Sequence, residues 1–129
     1  MQIGLFASDA ALAEYFVTAL GFSGHAVTLY SSIEDLFSVL STDTSLHPRT
    51  PDEVLLIELV LDDDGKRMIA ELCRLIRGQR LPLIVLTTSD KEAIALTQTG
   101  FPGLCIGQLP IRLGELLPLI QAQRSSFCY

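Results

Sequence analysis

The sequence is poor in the residues that build metal sites and disulfide frameworks. Its 129 residues include three cysteines, two histidines and no tryptophan. No two cysteines have Cys-x-x-Cys spacing, and His25 and His47 lie far apart along the chain. An odd number of unpaired cysteines indicates reduced thiols rather than a disulfide framework or a zinc site. We therefore expect no metal site built on cysteine or histidine.

Basic residues are also few. Nine Lys and Arg stand against 15 Asp and Glu, which gives a formal net charge of −6. The basic residues form no dense cluster, and most are scattered singly, whereas binding to nucleic acid requires a basic face that neutralises phosphates. The charge argues against direct contact with nucleic acid and favours a positively charged protein partner.

Long apolar runs are missing as well. No stretch reaches the length of about 20 residues that a bilayer-crossing helix needs. The first residues, MQIGLFASD, have neither the basic start nor the long apolar core of a signal peptide. We expect a cytoplasmic protein without membrane contact. Hydrophobic residues nevertheless make up 49% of the chain, which is enough for one core, so we expect a single domain over residues 1–129.

Strand-type and helix-type segments alternate along the chain. Short apolar runs of strand type are found at 2–7, 25–30, 53–59, the start of 81–90, and 104–106. Apolar residues at helical spacing are found at 9–21, 32–40, 68–76, 90–99 and 111–123, with Pro118 predicting a kink or a late start in the last segment. A polar loop is predicted at 41–52. The alternation predicts an α/β fold, a doubly wound parallel sheet of five strands with five helices.

Local signals predict where several helices begin and end. Ser8 and Asp9 are both suited to start the first helix, which Gly21 would end. Ser31 with Glu34, and Ser89 with Glu92, have the spacing of capping boxes for the second and fourth helices. Gly78 is expected to stop the third helix.

Polar residues gather where the strands end, the edge at which doubly wound sheets place their functional groups. The run EVLLIELVLDDDG carries one carboxylate, Glu58, inside an apolar stretch that lacks the alternation of a half-exposed strand. The other polar residues expected at this edge are Ser8, Asp9, Asp62, Asp63, Asp64, Thr87, Thr88, Ser89 and Gln108.

In this order of elements the chain resembles, over essentially its whole length, the receiver domain of two-component response regulators. The resemblance implies a flavodoxin-like sheet with strand order 2-1-3-4-5. It places Glu58 at the position of the phosphoacceptor aspartate, Thr87 at the switch hydroxyl of strand four, and Ile106 at the aromatic switch residue of strand five. Pro110 matches the proline of the Lys-Pro pair after strand five.

The departures from the receiver pattern concern the groups that carry the chemistry. The acidic pair falls on Ala7 and Ser8, with Asp9 the only acid nearby, and the lysine falls on Leu109 or, with a gap, on Gln108. Phosphoryl transfer to a carboxylate needs a divalent cation and a positive group that neutralises the developing charge. We therefore expect no conventional phosphorylation of the third-strand carboxylate.

Two interpretations of Glu58 follow. Its carboxylate could mimic the phosphorylated state, although it carries one negative charge where a phosphoryl group carries nearly two. Alternatively, it is a structural acid that accepts hydrogen bonds from Thr87 or from loop backbone, as buried acids generally do.

The remaining edge residues also have a functional and a structural interpretation. Asp62, Asp63 and Asp64, with Asp9, could bind Mg²⁺ weakly, but Asp-Asp-Asp-Gly is also ordinary composition for a solvated turn. Thr87 could couple the site to strand five, or its hydroxyl could be satisfied locally.

Three function hypotheses remain. The first is an atypical receiver-like module, not an enzyme and without a cofactor, that acts independently of phosphorylation through contacts with a sensor kinase, an output protein or a second copy. The second is a working receiver phosphorylated on Asp62, with Asp9 and Asp63 helping to bind the metal. The third is a small enzyme or flavodoxin-like cofactor binder, which the absence of glycine-rich phosphate motifs disfavours.

Overall fold

A computed structural model of the chain describes residues 2–41, 54–76 and 81–125. Apart from Ser41, the predicted polar loop lies outside the described residues. His47, Gly78 and Cys128 also lie outside them.

Five parallel strands form one sheet in the order β2-β1-β3-β4-β5. The strands are β1 (Gln2–Ala7), β2 (Ala26–Leu29), β3 (Val54–Glu58), β4 (Leu83–Thr87) and β5 (Cys105–Gln108). They alternate with the helices α1 (Ala10–Phe22), α2 (Ile33–Ser41), α3 (Asp63–Ile76), α4 (Lys91–Gly100) and α5 (Leu113–Ser125). The predicted fold class, element order and strand order are confirmed.

The central strands β3 and β4 are buried on both faces along their whole length. Ile57 and Val85 belong to the core layer that includes α2 and α3, whereas Leu56 and Ile84 belong to the layer that includes α1 and α5. Helices therefore cover both faces of the sheet, which explains why the third strand's sequence shows no polar alternation.

The start of α2 differs from the predicted capping box by one residue. Ser32, not Ser31, accepts a hydrogen bond on its hydroxyl from the backbone N–H of Asp35, with an N–O distance of 3.0 Å. The side chain of Ser31 instead donates to that of Asp35. Glu34 lies in the first turn, where its negative charge interacts favourably with the helix dipole.

The predicted start of α4 is wrong in the same way. Asp90 is the N-cap, and its Oδ1 accepts from the N–H of Ala93 at 2.9 Å. Ser89 lies outside the helix and forms hydrogen bonds with residues at the ends of the strands instead. Serine and aspartate are about equally suited to cap a helix, so the choice of Asp90 reflects where the chain enters α4.

The predicted end of α1 at Gly21 is also wrong, because the helix continues to Phe22 and is capped by Ser23. The chain leaves the helix through Gly24, whose φ of 86° is the left-handed conformation that glycine adopts without strain.

The last helix runs through its proline. It begins at Leu113, two residues later than the predicted segment, and Pro118 lies within it. None of the described helices is long and apolar enough to cross a bilayer.

Candidate functional site

The sheet brings the polar residues at the carboxyl ends of the strands to one edge. The strand register places Ala7 of β1 beside Glu58 of β3, and Thr87 of β4 beside Gln108 of β5. The residues that the resemblance aligns with the acidic pair, the phosphoacceptor, the switch hydroxyl and the lysine of receivers therefore lie along one edge of the sheet.

Glu58 is buried, with 5% of its surface exposed, and its carboxylate is held by Ser8. Glu58 Oε2 accepts a hydrogen bond from the backbone N–H of Ser8 at 2.9 Å and a second from the Ser8 hydroxyl at 2.6 Å. Hydrogen bonds to an ionised carboxylate are short and strong, and these distances lie in that range. The described bonds of the carboxylate agree with a structural acid held by loop backbone and do not involve Thr87.

Ser8 and Asp9 have separate roles at the end of β1. Asp9 is the N-cap of α1, and its Oδ1 accepts from the N–H groups of Ala11 at 2.9 Å and Leu12 at 3.4 Å. The predicted capping role therefore belongs to Asp9 alone. The hydroxyl of Ser8 bonds to Glu58 instead.

The three aspartates after β3 are exposed to solvent, as predicted, but they begin a helix rather than form a turn. Asp62 Oδ1 accepts from the N–H of Gly65 at 2.8 Å, and the Asp62 carbonyl accepts from Lys66 at 2.9 Å, so Asp62 begins α3. Asp63 and Asp64 form the first helical turn, where negative side chains complement the helix dipole.

Gly65 permits this tight start of α3. A Cβ atom at this position would lie 1.9 Å from the carbonyl oxygen of Val60, a distance that no side chain tolerates.

The carboxylates of Asp62 and Asp64 line a shallow hollow of about 210 Å³ beside Ser8. Across residues 2–41, 54–76 and 81–125, no group of three or more His, Cys, Asp or Glu residues is placed to hold a metal ion.

Thr87 is fully buried, and its hydroxyl and carbonyl oxygens accept hydrogen bonds from nearby backbone. Its Oγ1 accepts a hydrogen bond from the N–H of Ser89 at 3.1 Å, and its carbonyl accepts from the N–H of Leu109 at 2.7 Å. These bonds agree with the structural interpretation of this hydroxyl.

Ser89 connects three strand ends. Its hydroxyl accepts from the N–H of Leu61, in the β3–α3 loop, at 3.0 Å. Its N–H donates to Thr87 on β4, and its carbonyl accepts from Nε2 of Gln108 on β5 at 3.2 Å. The side chain at the gapped lysine position thus braces a neighbouring loop.

The position that directly matches the receiver lysine is apolar. Leu109 packs against the core layer of α1 and α5, and its peptide bond to Pro110 is cis. Ile106 is half-buried against the opposite layer and has no ring to report a switch.

Charges near the edge are mostly negative. The ion pairs formed between described side chains join Asp64 to Arg67 and Glu71 to Arg74, both along α3. The hydrogen bond from Arg74 lowers the pKa of Glu71. Neither pair involves Glu58, so neither supplies the positive group that a phosphorylated receiver uses.

The role of Ser8 toward Glu58 was missed from sequence, as was the central position of Ser89. The residues of the first pair lie 50 positions apart, and only the β1–β3 register brings them together. The one available signal was Asp9: an aspartate suited to cap α1 left the preceding serine without a role.

No family model matches the chain, and no curated protein matches it. Solved structures do. A two-component response regulator from Clostridium difficile is 15% identical, with a TM-score of 0.76 over 100% of this chain and 99% of that chain. A CheY-like response regulator receiver domain protein from Methanospirillum hungatei JF-1 is 15% identical, with a TM-score of 0.74 over 98% and 94%.

The BeF3-activated N-terminal receiver domain of Klebsiella pneumoniae RstA is also similar, at 17% identity and a TM-score of 0.73 over 96% of this chain and 98% of that chain. Likeness at such low identity establishes the fold and confirms the predicted resemblance at that level. The chain has the CheY-like fold of response regulator receiver domains.

Proposed function

We propose that the chain is a receiver-like signalling module that acts through protein contacts and does not depend on phosphorylation. It is not an enzyme and requires no cofactor. The observation that carries the proposal is the pair of hydrogen bonds from Ser8 to Glu58, which occupy the carboxylate at the phosphoacceptor position.

The chemistry of phosphoryl transfer supports the proposal. Receivers use acidic side chains to bind a divalent cation and a lysine to neutralise the product, and here these positions carry Ala7, Ser8 and Leu109. Asp9, the nearest acid, is engaged in capping α1. Glutamate is also one methylene longer than aspartate, which moves the nucleophile by about 1.5 Å, more than such reactions tolerate.

The hydrogen bonds around Ser89 also support the proposal. In receivers the strand-four hydroxyl turns toward the phosphoryl group, whereas Thr87 Oγ1 here accepts from Ser89 while Ser89 holds the β3–α3 loop. Moving the Thr87 hydroxyl toward Glu58 would break this part-buried hydrogen bond. A single arrangement of the edge agrees better with constant protein binding than with a switch.

The partner that fits is a protein, either a sensor kinase or an output protein, with a basic surface. The net charge of −6 and the carboxylates at the helix starts favour such a surface electrostatically.

Small-molecule phosphodonors test the proposal. The purified chain is incubated with acetyl phosphate or phosphoramidate and Mg²⁺, and intact-mass spectrometry follows addition of one phosphoryl group. We expect no addition. A variant with Ala7→Asp, Ser8→Asp, Glu58→Asp and Leu109→Lys restores the missing groups, and we expect it to be labelled.

A stable acyl phosphate on the unchanged chain would contradict the proposal. Glu58→Gln and Asp62→Asn would then locate it. Labelling that survives the first change and disappears with the second would establish a working receiver phosphorylated on Asp62.

A further inference from the structure

Helix α1 exposes two aromatic side chains on its outer side. Tyr15 is 48% exposed and Phe22 is 88% exposed. Amphipathic surface helices normally present charged residues to solvent, but Glu14 is the only charged residue among the 13 of α1. This side of α1 therefore has the composition of a buried surface.

The outer side of α1 forms one continuous depression of about 500 Å³. It is lined by Ala11, Glu14, Tyr15, Thr18, Ala19 and Phe22. The buried side of the same helix, with Phe16 and Leu20, already packs on the sheet. The outer side is thus a second apolar surface rather than an edge of the core.

The spacing on this side is that of a helix–helix seam. Ala11, Tyr15, Thr18 and Phe22 follow one another at intervals of four, three and four residues, the spacing of alternating a and d positions in a coiled coil. Small and large side chains alternate along the seam. If a second α1 lies antiparallel about a two-fold axis, Phe22 faces Ala11 of the other copy and Tyr15 faces Thr18. Each large side chain then meets a small one, the condition under which facing layers interdigitate.

The charge of the outer side of α1 also favours a second copy of the chain as its binding partner. A phosphate-rich or anionic membrane surface requires basic residues, and α1 has none. A strongly basic partner would meet a single carboxylate. In the antiparallel pair Glu14 faces Ala19 of the other copy, so two chains of net charge −6 can meet here without opposing like charges.

From these features we propose that the outer side of α1 binds the same face of a second copy in an antiparallel, two-fold dimer. Helix α1 is about 20 Å long, so the seam buries less than the roughly 800 Å² per partner of a standard interface. The dimer is therefore weak and forms at high concentration. The inference does not rest on the proposed function, since α1 could pair whether or not the chain is phosphorylated.

Sedimentation velocity over a concentration series tests the pairing. We expect the average mass of the wild-type chain to rise toward that of a dimer at millimolar concentration. Tyr15→Arg brings two like charges close to the two-fold axis of the seam, and Phe22→Arg replaces an apolar side chain at each end of the seam with a charge that pairing would remove from water. Both variants should keep the chain monomeric. Leu96→Arg is the matched control, because Leu96 is 61% exposed on α4, and this variant should still dimerise.

A wild-type chain that remains monomeric at millimolar concentration overturns the proposal. A dimer that Leu96→Arg disrupts and Tyr15→Arg leaves intact also overturns it, because the interface would then lie on α4. Circular dichroism establishes that each variant is folded.

Disulfide cross-linking tests the register, and it decides the matter if the arginine variants fail to fold. Ala11→Cys and Phe22→Cys are combined in a chain whose three native cysteines are replaced by alanine. The two positions are about 16 Å apart on one helix, too far for a bond within a chain, so oxidation should give a covalent dimer. Ala11→Cys alone should give none. A covalent dimer from this single variant would indicate a parallel pair and refute the proposal.

Discussion

Ser8 donates both its backbone N–H and its hydroxyl to one oxygen of Glu58, joining the ends of β1 and β3. The resemblance to receivers aligns the serine with an acid of the acidic pair and the glutamate with the phosphoacceptor. Two acids this close would repel each other without a metal ion. The serine removes that repulsion and gives the buried carboxylate two hydrogen-bond donors.

Ser8→Ala removes the hydroxyl donor and leaves the N–H donor in place. Because a buried carboxylate then loses one charge-assisted hydrogen bond, we expect the free energy of unfolding to fall by about 1.5–3 kcal/mol. Urea denaturation measures the change. Thr88→Val, which alters an exposed hydroxyl at the same edge, is the control and should change stability by less than about 0.5 kcal/mol. Equal losses in the two variants would contradict this account of Glu58.

Gly65→Ala should strongly destabilise the chain. The added methyl group would lie 1.9 Å from the Val60 carbonyl oxygen, so the start of α3 must move, at a cost of about 3 kcal/mol. Gly21→Ala is the matched control. It lies inside α1 with no atom within 4 Å of a new Cβ, and alanine there should stabilise by about 0.5–1 kcal/mol. The expected changes have opposite signs, and thermal unfolding of both variants distinguishes them.

Ser89→Ala should loosen the β3–α3 loop. The Leu61 N–H loses its acceptor, and a partly buried unsatisfied donor costs about 1–3 kcal/mol. Hydrogen exchange monitored by NMR should show faster exchange of the Leu61 amide. Thr99→Ala removes a hydroxyl bonded within exposed α4 and should leave this amide unchanged. Unaltered exchange at Leu61 in the Ser89 variant would show that the bond does not hold the loop.

Cys105 should make stability depend on alkaline pH. Burial raises the pKa of its thiol in the folded chain. The unfolded chain therefore ionises first, so this contribution to stability is complete below the ordinary thiol pKa and is lost as the pH rises toward the folded value. The urea midpoint of the wild type should fall relative to that of Cys105→Ala as the pH rises through the alkaline range. Parallel curves across the alkaline range would contradict the assignment.

The fold could be predicted because apolar runs report burial directly. The run over residues 53–59 has no polar alternation, and β3 is buried on both faces. The apolar run at the start of residues 81–90 also lacks polar alternation, and β4 is likewise buried on both faces. Strand order then followed from the resemblance to receivers, and it is confirmed.

Helix starts were less predictable, because adjacent residues compete to be the cap. Ser32 and Asp90 took the capping position from Ser31 and Ser89, each by one residue. The outcome depends on the path of the chain from strand to helix, which a spacing rule does not contain. At the site, the partner of Glu58 depends on the strand register. Register is a long-range property, which a local spacing rule does not contain either.

Ser89 joins three strand ends through bonds that need no added chemical group. Under the proposed function, each copy of the chain would give its partner the same signal. The strength of that signal would then follow the number of copies, and its response time would follow protein synthesis and degradation rather than the lifetime of a phosphorylated residue.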